Sequence, residues 1–208
     1  TGAGSFTGYW IVKELAEAGH EVTMIFREKV GDHEGLVGKR DELVSKFGAY
    51  KEEVTFGDEK FLALIKESKW DLLCHHAADT RNYKSPDFDV ETAVENNTHN
   101  LSEITDALKE QGCEHIVLTG SFFEQDEGEG KTPEDMRDFS AYGKSKRLTW
   151  EHFEKMGKEK GVKVGKFVIP NPFGPYENMG FTSYLAKTWF AGETPRVKTP
   201  DYVRDNLH

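Results

Sequence analysis

Short apolar runs alternate with longer segments of helical periodicity along most of the chain. Apolar runs of this length, separated by helical segments, are typical of parallel strands joined by crossover helices. The predicted strands are residues 21–26, 53–56, 70–75, 115–119 and 162–169. The predicted helices are residues 8–18, 61–67, 87–110 and 141–158. The pattern therefore predicts an α/β fold with a parallel sheet flanked by helices.

One of the predicted helices has well-marked ends. The helix over residues 87–110 is expected to begin with Ser85 as its cap and Pro86 at its first position, where no backbone N–H is needed. Gly112 follows its end, where glycine commonly stops a helix. Residues 27–51 are polar and interrupted by four glycines, which favours an irregular or partly helical insertion.

The composition limits the class of protein. The 208 residues are 37% hydrophobic and 12% aromatic, enough to bury one sizeable core in an ordinary globular domain. The formal net charge is -10, from 27 Lys and Arg against 37 Asp and Glu that are spread along the chain. This balance argues against a nucleic-acid-binding surface and favours solubility.

The cysteines and the hydropathy bear on the compartment in which the protein is expected. Cys74 and Cys113 have neither metal-ligand spacing nor a disulfide framework, so we expect two inert thiols and no metal site. No apolar stretch approaches the roughly 20 residues that span a bilayer, and the N-terminus lacks a charged-then-apolar signal pattern. We therefore expect a cytoplasmic protein without a membrane partner.

Candidate chemistry begins with Tyr142 and Lys146, in the run Tyr-Gly-Lys-Ser-Lys at the start of a predicted helix. A four-residue step places both side chains on one helix face, where the cation would lower the pKa of the phenol. Ser121 ends an apolar run upstream, and the acidic, glycine-rich residues 124–138 between them are expected to form a solvated loop beside the site. Such a tyrosine would suit acid and base catalysis, although the pair alone arises often by chance.

The beginning of the chain supplies a second signal. Residues 1–8, Thr-Gly-Ala-Gly-Ser-Phe-Thr-Gly, form a glycine-rich turn that runs directly into a helical pattern. The N-terminus of a helix after such a turn is suited to bind a pyrophosphate. A glycine turn followed in order by the serine, tyrosine and lysine is much stronger evidence than either signal alone.

Further motifs follow in a fixed order along the chain. They are Gly57-Asp58, His75-His76-Ala77-Ala78, Ser121, Tyr142 with Lys146, Asn171-Pro172-Phe173-Gly174-Pro175 and Arg204-Asp205-Asn206-Leu207-His208. Together with the glycine turn, they resemble the extended short-chain dehydrogenase/reductase family, in its NAD(P)-dependent nucleotide-sugar epimerase/dehydratase branch. The family's turn usually has three glycines at three-residue steps, whereas Ser5 stands here where the middle glycine would be.

This resemblance implies a Rossmann-type doubly wound parallel sheet flanked by helices, with part of a C-terminal substrate-binding lobe. Residues 1–170 would form the NAD(P)-binding domain, and residues 171–208 would begin the substrate-binding lobe. Members of the family have a strand before the glycine turn and further residues after the Arg-Asp motif. The chain is therefore expected to be a fragment of a longer enzyme.

The resemblance also assigns roles to individual residues. The implied catalytic residues are Ser121, Tyr142 and Lys146. The implied cofactor-binding residues are Gly2, Gly4, Ser5, Phe6, Gly8, Arg27, Asp58, His75, Ala77, Ala78, Tyr142, Lys146 and Pro170. The implied substrate-binding residues are Ser121, Phe122, Asn171 and Arg204. His76 is expected to serve in packing, because neighbouring side chains on a strand point to opposite faces.

The choice of cofactor depends on the end of the strand at residues 21–26. An acidic residue there would accept the ribose 2′-hydroxyl of NAD, but Phe26 occupies that place and Arg27 follows. Arg27 could pair with a 2′-phosphate, which favours NADP over NAD. The alternative is that Arg27 and Lys29 are solvated loop charges.

The implied reaction acts on a sugar hydroxyl, with a nucleotide sugar as the expected substrate. Tyr142 would remove the hydroxyl proton while hydride leaves the same carbon, Lys146 would lower the tyrosine pKa, and Ser121 would bind the reacting oxygen. Return of hydride to the other face of the ketone gives epimerisation. Phe122 and Phe123 occupy the places of the acidic pair found in the family's dehydratases, which disfavours dehydration.

Two other functions and an oligomer stay open at this point. A plain NADPH-dependent carbonyl reductase would use the same three residues for one hydride transfer. A non-catalytic NADP-binding regulatory protein would keep the fold without turnover, although such proteins commonly lose the tyrosine or the lysine. A homodimer through the Tyr-Lys helix would use Trp150 and Phe153, which could equally be core residues.

Overall fold

The computed structural model describes residues 1–124, 138, 140–198, 200–201 and 205–208. The helices in this part of the chain are α1 Phe6–Glu17, α2 Gly35–Val44, α3 Glu59–Glu67, α4 Val90–Asn97, α5 Leu101–Glu110, α6 Ala141–Lys160 and α7 Phe181–Phe190. The strands are β1 Thr23–Ile25, β2 Ala49–Lys51, β3 Leu72–His75, β4 His115–Ser121 and β5 Lys163–Ile169. Strands and helices alternate, so the predicted α/β class is confirmed.

Every described strand pair is parallel. Strand β1 pairs with β2 in the register Thr23 with Ala49. Strand β4 lies between β3 and β5, in the registers Leu72 with His115 and His115 with Lys163. The strands thus form two hydrogen-bonded groups, β1-β2 and β3-β4-β5, with helices as the crossover connections.

The main core lies between the three-stranded group and the helices α3, α5 and α6. Ile104, Leu108, Ile116 and Phe153 are each at most 1% exposed in this cluster. Helix α5 supplies such residues because its apolar positions recur every three or four residues. A second cluster, Ala3, Tyr9, Val12, Met24, Phe26 and Val44, packs α1 and α2 beside β1. Both clusters fix the positions at which the strands end.

The predicted strand at residues 53–56 is wrong. The chain pairs earlier, at β2, and Glu53 has a φ of 56°, a left-handed conformation that interrupts an extended strand. Val54 and Phe56 are nevertheless buried, because the loop after β2 folds into the main core. A buried loop and a buried strand give the same short apolar pattern.

The predicted helix over residues 87–110 is divided into α4 and α5. Asn100 has a φ of 52° between them, which breaks the helical path. The expected Ser85 cap is also wrong, because Asp89 caps α4 by accepting a 3.0 Å hydrogen bond from the N–H of Thr92. The predicted end is confirmed: Gly112, with a φ of 86°, follows α5.

The segment at residues 27–51 is partly helical, as predicted, since it contains α2 and a short turn of 3-10 helix at Ser45–Phe47. Strand β5 ends at Ile169, and the division into two domains near residue 170 stays a prediction. Across the described residues, no helix is both long and apolar enough to cross a membrane.

Candidate active site

A large open cavity lies where β1, β3, β4 and β5 end at their carboxyl sides. The residues lining it include Gly2, Gly4, Ser5, Phe6, Arg27, His75, Ala77, Ala78, Ser121, Phe122, Tyr142, Lys146 and Asn171. Ligands of open parallel sheets bind at this edge of the strands. The structure therefore brings most of the residues implied by the resemblance to one place.

The glycine turn is shaped for close approach of a ligand. Gly2 has a φ of 75°, and a Cβ there would lie 2.8 Å from the backbone nitrogen of Ala77. A Cβ on Gly8 would collide with the carbonyl oxygen of Gly2, so the turn closes only over glycine. Ser5 caps α1, because its Oγ accepts a 3.0 Å hydrogen bond from the N–H of Gly8. The open helix N-terminus beside this cradle fits a pyrophosphate.

His75 fixes the end of β3. Its ring is 2% exposed, lies 4.0 Å from the ring centroid of Phe56 and is stacked on Phe153 at 5.1 Å. Burial holds the pKa of His75 well below its usual value, so the ring is neutral. Thr1 Oγ1 contacts His75 Nδ1 at 3.1 Å and accepts a 3.0 Å bond from the N–H of Ala77, which holds this segment beside the glycine turn.

The expectation that His76 serves in packing is incomplete, because its ring also makes hydrogen bonds to three hydroxyl groups. Its Nε2 lies 2.8 Å from Thr7 Oγ1 and 3.0 Å from Ser5 Oγ, and its Nδ1 lies 2.7 Å from Thr119 Oγ1. Burial, followed by the charges of the N-terminus and Lys146, lowers its pKa to about 3. A neutral imidazole therefore connects the start of α1 to the strand that carries Ser121.

Tyr142 and Lys146 stand in the first turns of α6, as predicted from their spacing. Ser140 begins the helix, since its Oγ accepts a 3.0 Å bond from the N–H of Gly143. Lys146 is 6% exposed, and burial lowers its pKa to about 8. No described residue accepts a hydrogen bond from its ammonium, which leaves the cation directed at the cavity that it lines.

The expectation of a lowered tyrosine pKa is wrong. Burial first, and then the negative charge of Glu124, raise the pKa of Tyr142 to about 12. The rings of Tyr83 and Phe88 lie edge-on to the phenol, 5.5 and 5.9 Å away, and help to exclude water. The Tyr142 phenol is therefore protonated at neutral pH.

Glu124 was missed by the sequence analysis. Its side chain is 1% exposed and lies directly below Ser121, whose backbone N–H donates a 2.6 Å bond to Glu124 Oε1. Glu124 Oε2 pairs with Lys166 Nζ at 3.0 Å. The only available signal was an acidic residue three positions after Ser121, within a stretch that is acidic throughout.

A second missed group lies on α2, at the other end of the cavity. Arg40 is 3% exposed and donates to the carbonyl oxygens of Gly4 at 3.0 Å and Tyr176 at 2.9 Å. Asp41 lies against Gly4, because a Cβ on that glycine would collide with its carboxylate. Asp41 Oδ2 lies 2.9 Å from His33 Nδ1, and burial raises its pKa.

Several implied residues lie elsewhere. Gly8, Asp58 and Pro170 are not among the residues that line the cavity. Asp58 caps α3, because its two carboxylate oxygens accept 2.7 Å bonds from the N–H groups of Thr55 and Phe61. Asn171 lines the cavity and donates to the carbonyl oxygen of Asp205 at 2.9 Å. Arg204 lies outside the described residues.

Two further expectations concern packing and metals. Phe153 belongs to the main core and Trp150 packs against it, so the core interpretation of both residues holds in this structure, and a homodimer stays a prediction. Among the described residues, no group of three or more His, Cys, Asp and Glu side chains is placed to hold a metal ion.

Comparison with solved structures shows the fold. UDP-glucose 4-epimerase from Thermotoga maritima, solved with UDP-glucose, is similar with a TM-score of 0.73 and 18% identity over 99% of this chain and 67% of that one. The Bordetella bronchiseptica enzyme WbmG, in complex with NAD, gives 0.69 and 21% identity over 99% and 62%. UDP-glucuronic acid 4-epimerase from Bacillus cereus, in complex with UDP-glucuronic acid and NAD, gives 0.69 and 17% identity over 92% and 62%.

The chain thus spans between 62% and 67% of the length of these proteins. No curated protein matches its sequence. The family model described as "NAD dependent epimerase/dehydratase family" matches residues 1–207. The glycine turn, the serine, the tyrosine and the lysine all line one cavity at the carboxyl ends of parallel strands, and the chain belongs to the NAD dependent epimerase/dehydratase family.

Proposed function

We propose that this chain carries the cofactor site and catalytic residues of an epimerase or oxidoreductase that acts on a hydroxyl of a nucleotide sugar. The observation that supports this most is that Ser121, Tyr142 and Lys146 line the same cavity as the glycine turn. The nucleotide-sugar substrate class agrees with the similar structures, which were solved with UDP-glucose and with UDP-glucuronic acid.

The residues of this cavity fit a nicotinamide dinucleotide. The backbone of Gly2, Gly4 and Phe6 would hold the pyrophosphate at the N-terminus of α1, and Lys146 would bind at the nicotinamide ribose. When bound, the nicotinamide supplies a reversible hydride acceptor for the carbon that bears the substrate hydroxyl.

Ser121 and Tyr142 would handle the proton on the reacting oxygen. Ser121 Oγ accepts a 3.2 Å hydrogen bond from the N–H of Phe123, so its own proton is free to be donated to the substrate oxygen. The phenol of Tyr142, protonated at neutral pH, is in the form that donates a proton to a carbonyl oxygen. In the reverse direction, a phenolate would take the hydroxyl proton, and Lys146, one turn further along α6, would stabilise that anion.

The same geometry disfavours dehydration. Elimination needs a base beside Ser121 to remove a carbon-bound proton, but Phe122 and Phe123 lie there, with ring centroids 4.2 Å apart. Glu124, the nearest described acidic side chain after them, has both carboxylate oxygens engaged by the Ser121 N–H and Lys166. The arrangement of the described residues therefore favours proton transfer at oxygen with hydride transfer at the same carbon.

Substitution of Tyr142 by Phe in the full-length protein tests this function. We expect turnover of UDP-sugars to fall by about a thousandfold or more, while the affinity for nicotinamide dinucleotide changes by less than about threefold. Tyr83→Phe is the matched control, because that phenol also lines the cavity and contacts the Tyr142 ring. A Tyr142→Phe protein as active as the control would overturn the proposal.

The same assay separates an epimerase from a carbonyl reductase. An epimerase interconverts two UDP-sugars without net change in nicotinamide absorbance. A reductase consumes one NADPH for each product formed. Loss of stoichiometric NADPH oxidation on Tyr142→Phe, without sugar interconversion by the wild type, would replace the epimerase assignment by the reductase.

A further inference from the structure

Glu124 closes a short turn around Ser121. The N–H of Glu124 donates a 3.0 Å bond to the carbonyl oxygen of Ser121, while its carboxylate accepts the 2.6 Å bond from the Ser121 N–H. Inside this turn, the N–H of Phe123 reaches Ser121 Oγ. Both the backbone of Ser121 and the direction of its hydroxyl are thus fixed by groups within three residues.

Lys166 balances the charge of this turn from the neighbouring strand β5. Its side chain is 12% exposed, and its ammonium lies 5.3 Å from the centroid of the Trp150 ring as well as 3.0 Å from Glu124. A buried carboxylate without a partner is strongly unfavourable, so the Lys166 ammonium offsets the cost of burying Glu124. The pair joins the end of β4 to β5.

Gly120 is part of the same arrangement. A Cβ at this position would lie 2.9 Å from the Cδ of Lys166 and 3.0 Å from Glu124 Oε1. Glycine therefore leaves room for the Lys166 stem to pass beneath the turn.

Glu124 is unsuited to be a base, since both of its oxygens are occupied and its side chain is buried. Its contacts instead act on the residue that would touch the substrate. We propose that Glu124, charge-balanced by Lys166, is a positioning residue that holds the Ser121 turn so that the serine hydroxyl points at the reacting oxygen of the substrate. This inference rests on the proposed function.

Two charge-free double variants isolate the hydrogen bond from the ion pair. Glu124→Gln with Lys166→Met keeps an oxygen that accepts from the Ser121 N–H, whereas Glu124→Leu with Lys166→Met removes it. We expect kcat of the Leu variant to be about tenfold to a hundredfold below that of the Gln variant, because a catalytic group displaced by about 1 Å loses that much. KM and dinucleotide affinity should agree between the two variants within about threefold.

Ser121→Ala in both backgrounds tests whether Glu124 acts through the serine. Without the hydroxyl, the Leu and Gln variants should differ in kcat by less than about twofold, because the positioned group is gone. Equal kcat in the two double variants, or the full difference persisting in the Ser121→Ala backgrounds, would overturn the positioning role.

Amide hydrogen exchange reports on the turn without any turnover. We expect the Ser121 N–H to exchange at least about tenfold faster in the Leu variant than in the Gln variant, since its acceptor is lost. Equal protection would overturn the inference. If wild-type protein lacked activity on every UDP-sugar tested, the proposed function would fail, and the exchange measurement would still decide whether Glu124 holds the turn.

Discussion

At the end of the cavity beside the glycine turn, Arg27, Glu28 and His33 reach solvent around the buried Arg40 and Asp41, whereas at the end beside Tyr142 the charged side chains are buried. His33 contacts both Asp41 and Glu28 at 2.9 Å, and the His33 and Glu28 side chains are 39% and 58% exposed. In contrast, Lys146 and Glu124 are 6% and 1% exposed. Solvent screens the first group and leaves the second at nearly full strength.

Because burial differs between the two ends, substitutions at the buried end should affect protein stability, and substitutions at the exposed end should affect the selectivity between NAD and NADP. Burial of the Lys146 ammonium is unfavourable for folding, so its replacement should stabilise the protein, and under the proposed function it should also abolish turnover. The exposed charges at the other end should affect stability little, and under the proposed function they would meet the part of a dinucleotide that distinguishes NAD from NADP. Substitutions at the two ends should therefore change different observables.

The largest effect is expected at the buried end, for Lys146→Met. The pKa of Lys146 falls from an ordinary 10.5 to about 8, and each pKa unit corresponds to about 1.4 kcal/mol. Replacement by an apolar side chain of similar length should therefore stabilise the fold by about 3 kcal/mol while abolishing turnover. Chemical denaturation of the two proteins at neutral pH measures the gain.

The stability of the wild type should depend on pH through Lys146. The unfolding free energy of the wild type should rise as pH increases from about 8 to about 10.5, because only the unfolded state still binds the Lys146 proton there. The advantage of Lys146→Met should be largest below pH 8 and should shrink across that window. Lys144→Met, an exposed lysine on the same helix, is the control. A constant advantage at all pH values would contradict a buried ammonium.

His76 connects the two ends, and acid should break that connection. Its pKa is about 3 in the fold against an ordinary 6.5, so stability present above pH 6.5 is lost as pH falls toward 3. Between about pH 6.5 and pH 5, the free energy of unfolding should fall by about 2 kcal/mol because of His76 alone. Buried His75 should lower it further. Denaturant midpoints at these pH values give the slope.

His76→Gln should make that slope shallower, since an amide can replace some of the hydrogen bonds and does not titrate. His20→Gln, at an exposed position, should leave the slope unchanged. If the free energy of unfolding depends on pH equally in all three proteins, protonation of His76 does not destabilise the fold.

Arg27, which is exposed, and Asp41, which is buried against Gly4, test the end beside the glycine turn, where smaller effects are expected. Arg27 would attract a 2′-phosphate, whereas the Asp41 carboxylate beside Gly4 would repel it. Arg27→Ala should lower the ratio of NADP to NAD affinity about tenfold, and Asp41→Asn should raise it by a similar factor. Dinucleotide titration followed by nicotinamide fluorescence measures both ratios.

Lys29→Ala is the control that separates a direct contact of Arg27 with the 2′-phosphate from a general effect of positive charge. Lys29 is also an exposed cation, two residues from Arg27. If Arg27 contacts the 2′-phosphate of NADP, Arg27→Ala should lower the ratio of NADP to NAD affinity more than Lys29→Ala does. If both variants bind both dinucleotides like the wild type, these charges are solvated loop residues, as the sequence also allowed.

The two ends also differ in how much of them the sequence could predict. Tyr142 and Lys146 follow from a four-residue spacing on one helix, and Ser121 follows from its place at the end of an apolar run and from the resemblance. Arg40 and Asp41 reach Gly4 only because α2 folds back over the glycine turn, and Glu124 meets Lys166 across 42 residues and two strands. Such contacts depend on tertiary packing, and no local pattern marks them. The left-handed Asn100 is likewise invisible within a continuous helical period.

The smallest effect concerns Asp58, which the resemblance assigned to the adenine and which the structure uses as the cap of α3. Asp58→Ala should cost about 1 kcal/mol of stability, because the N–H of Phe61 loses its acceptor. Asp58→Ser should recover most of this loss, since serine caps a helix but is too short to reach a ligand beyond it. Dinucleotide affinity should stay within about twofold of the wild type for both variants. If Asp58→Ser folds with wild-type stability yet binds the dinucleotide tenfold more weakly, Asp58 contributes to the adenosine end in addition to capping α3, and that end depends on more than its exposed charges.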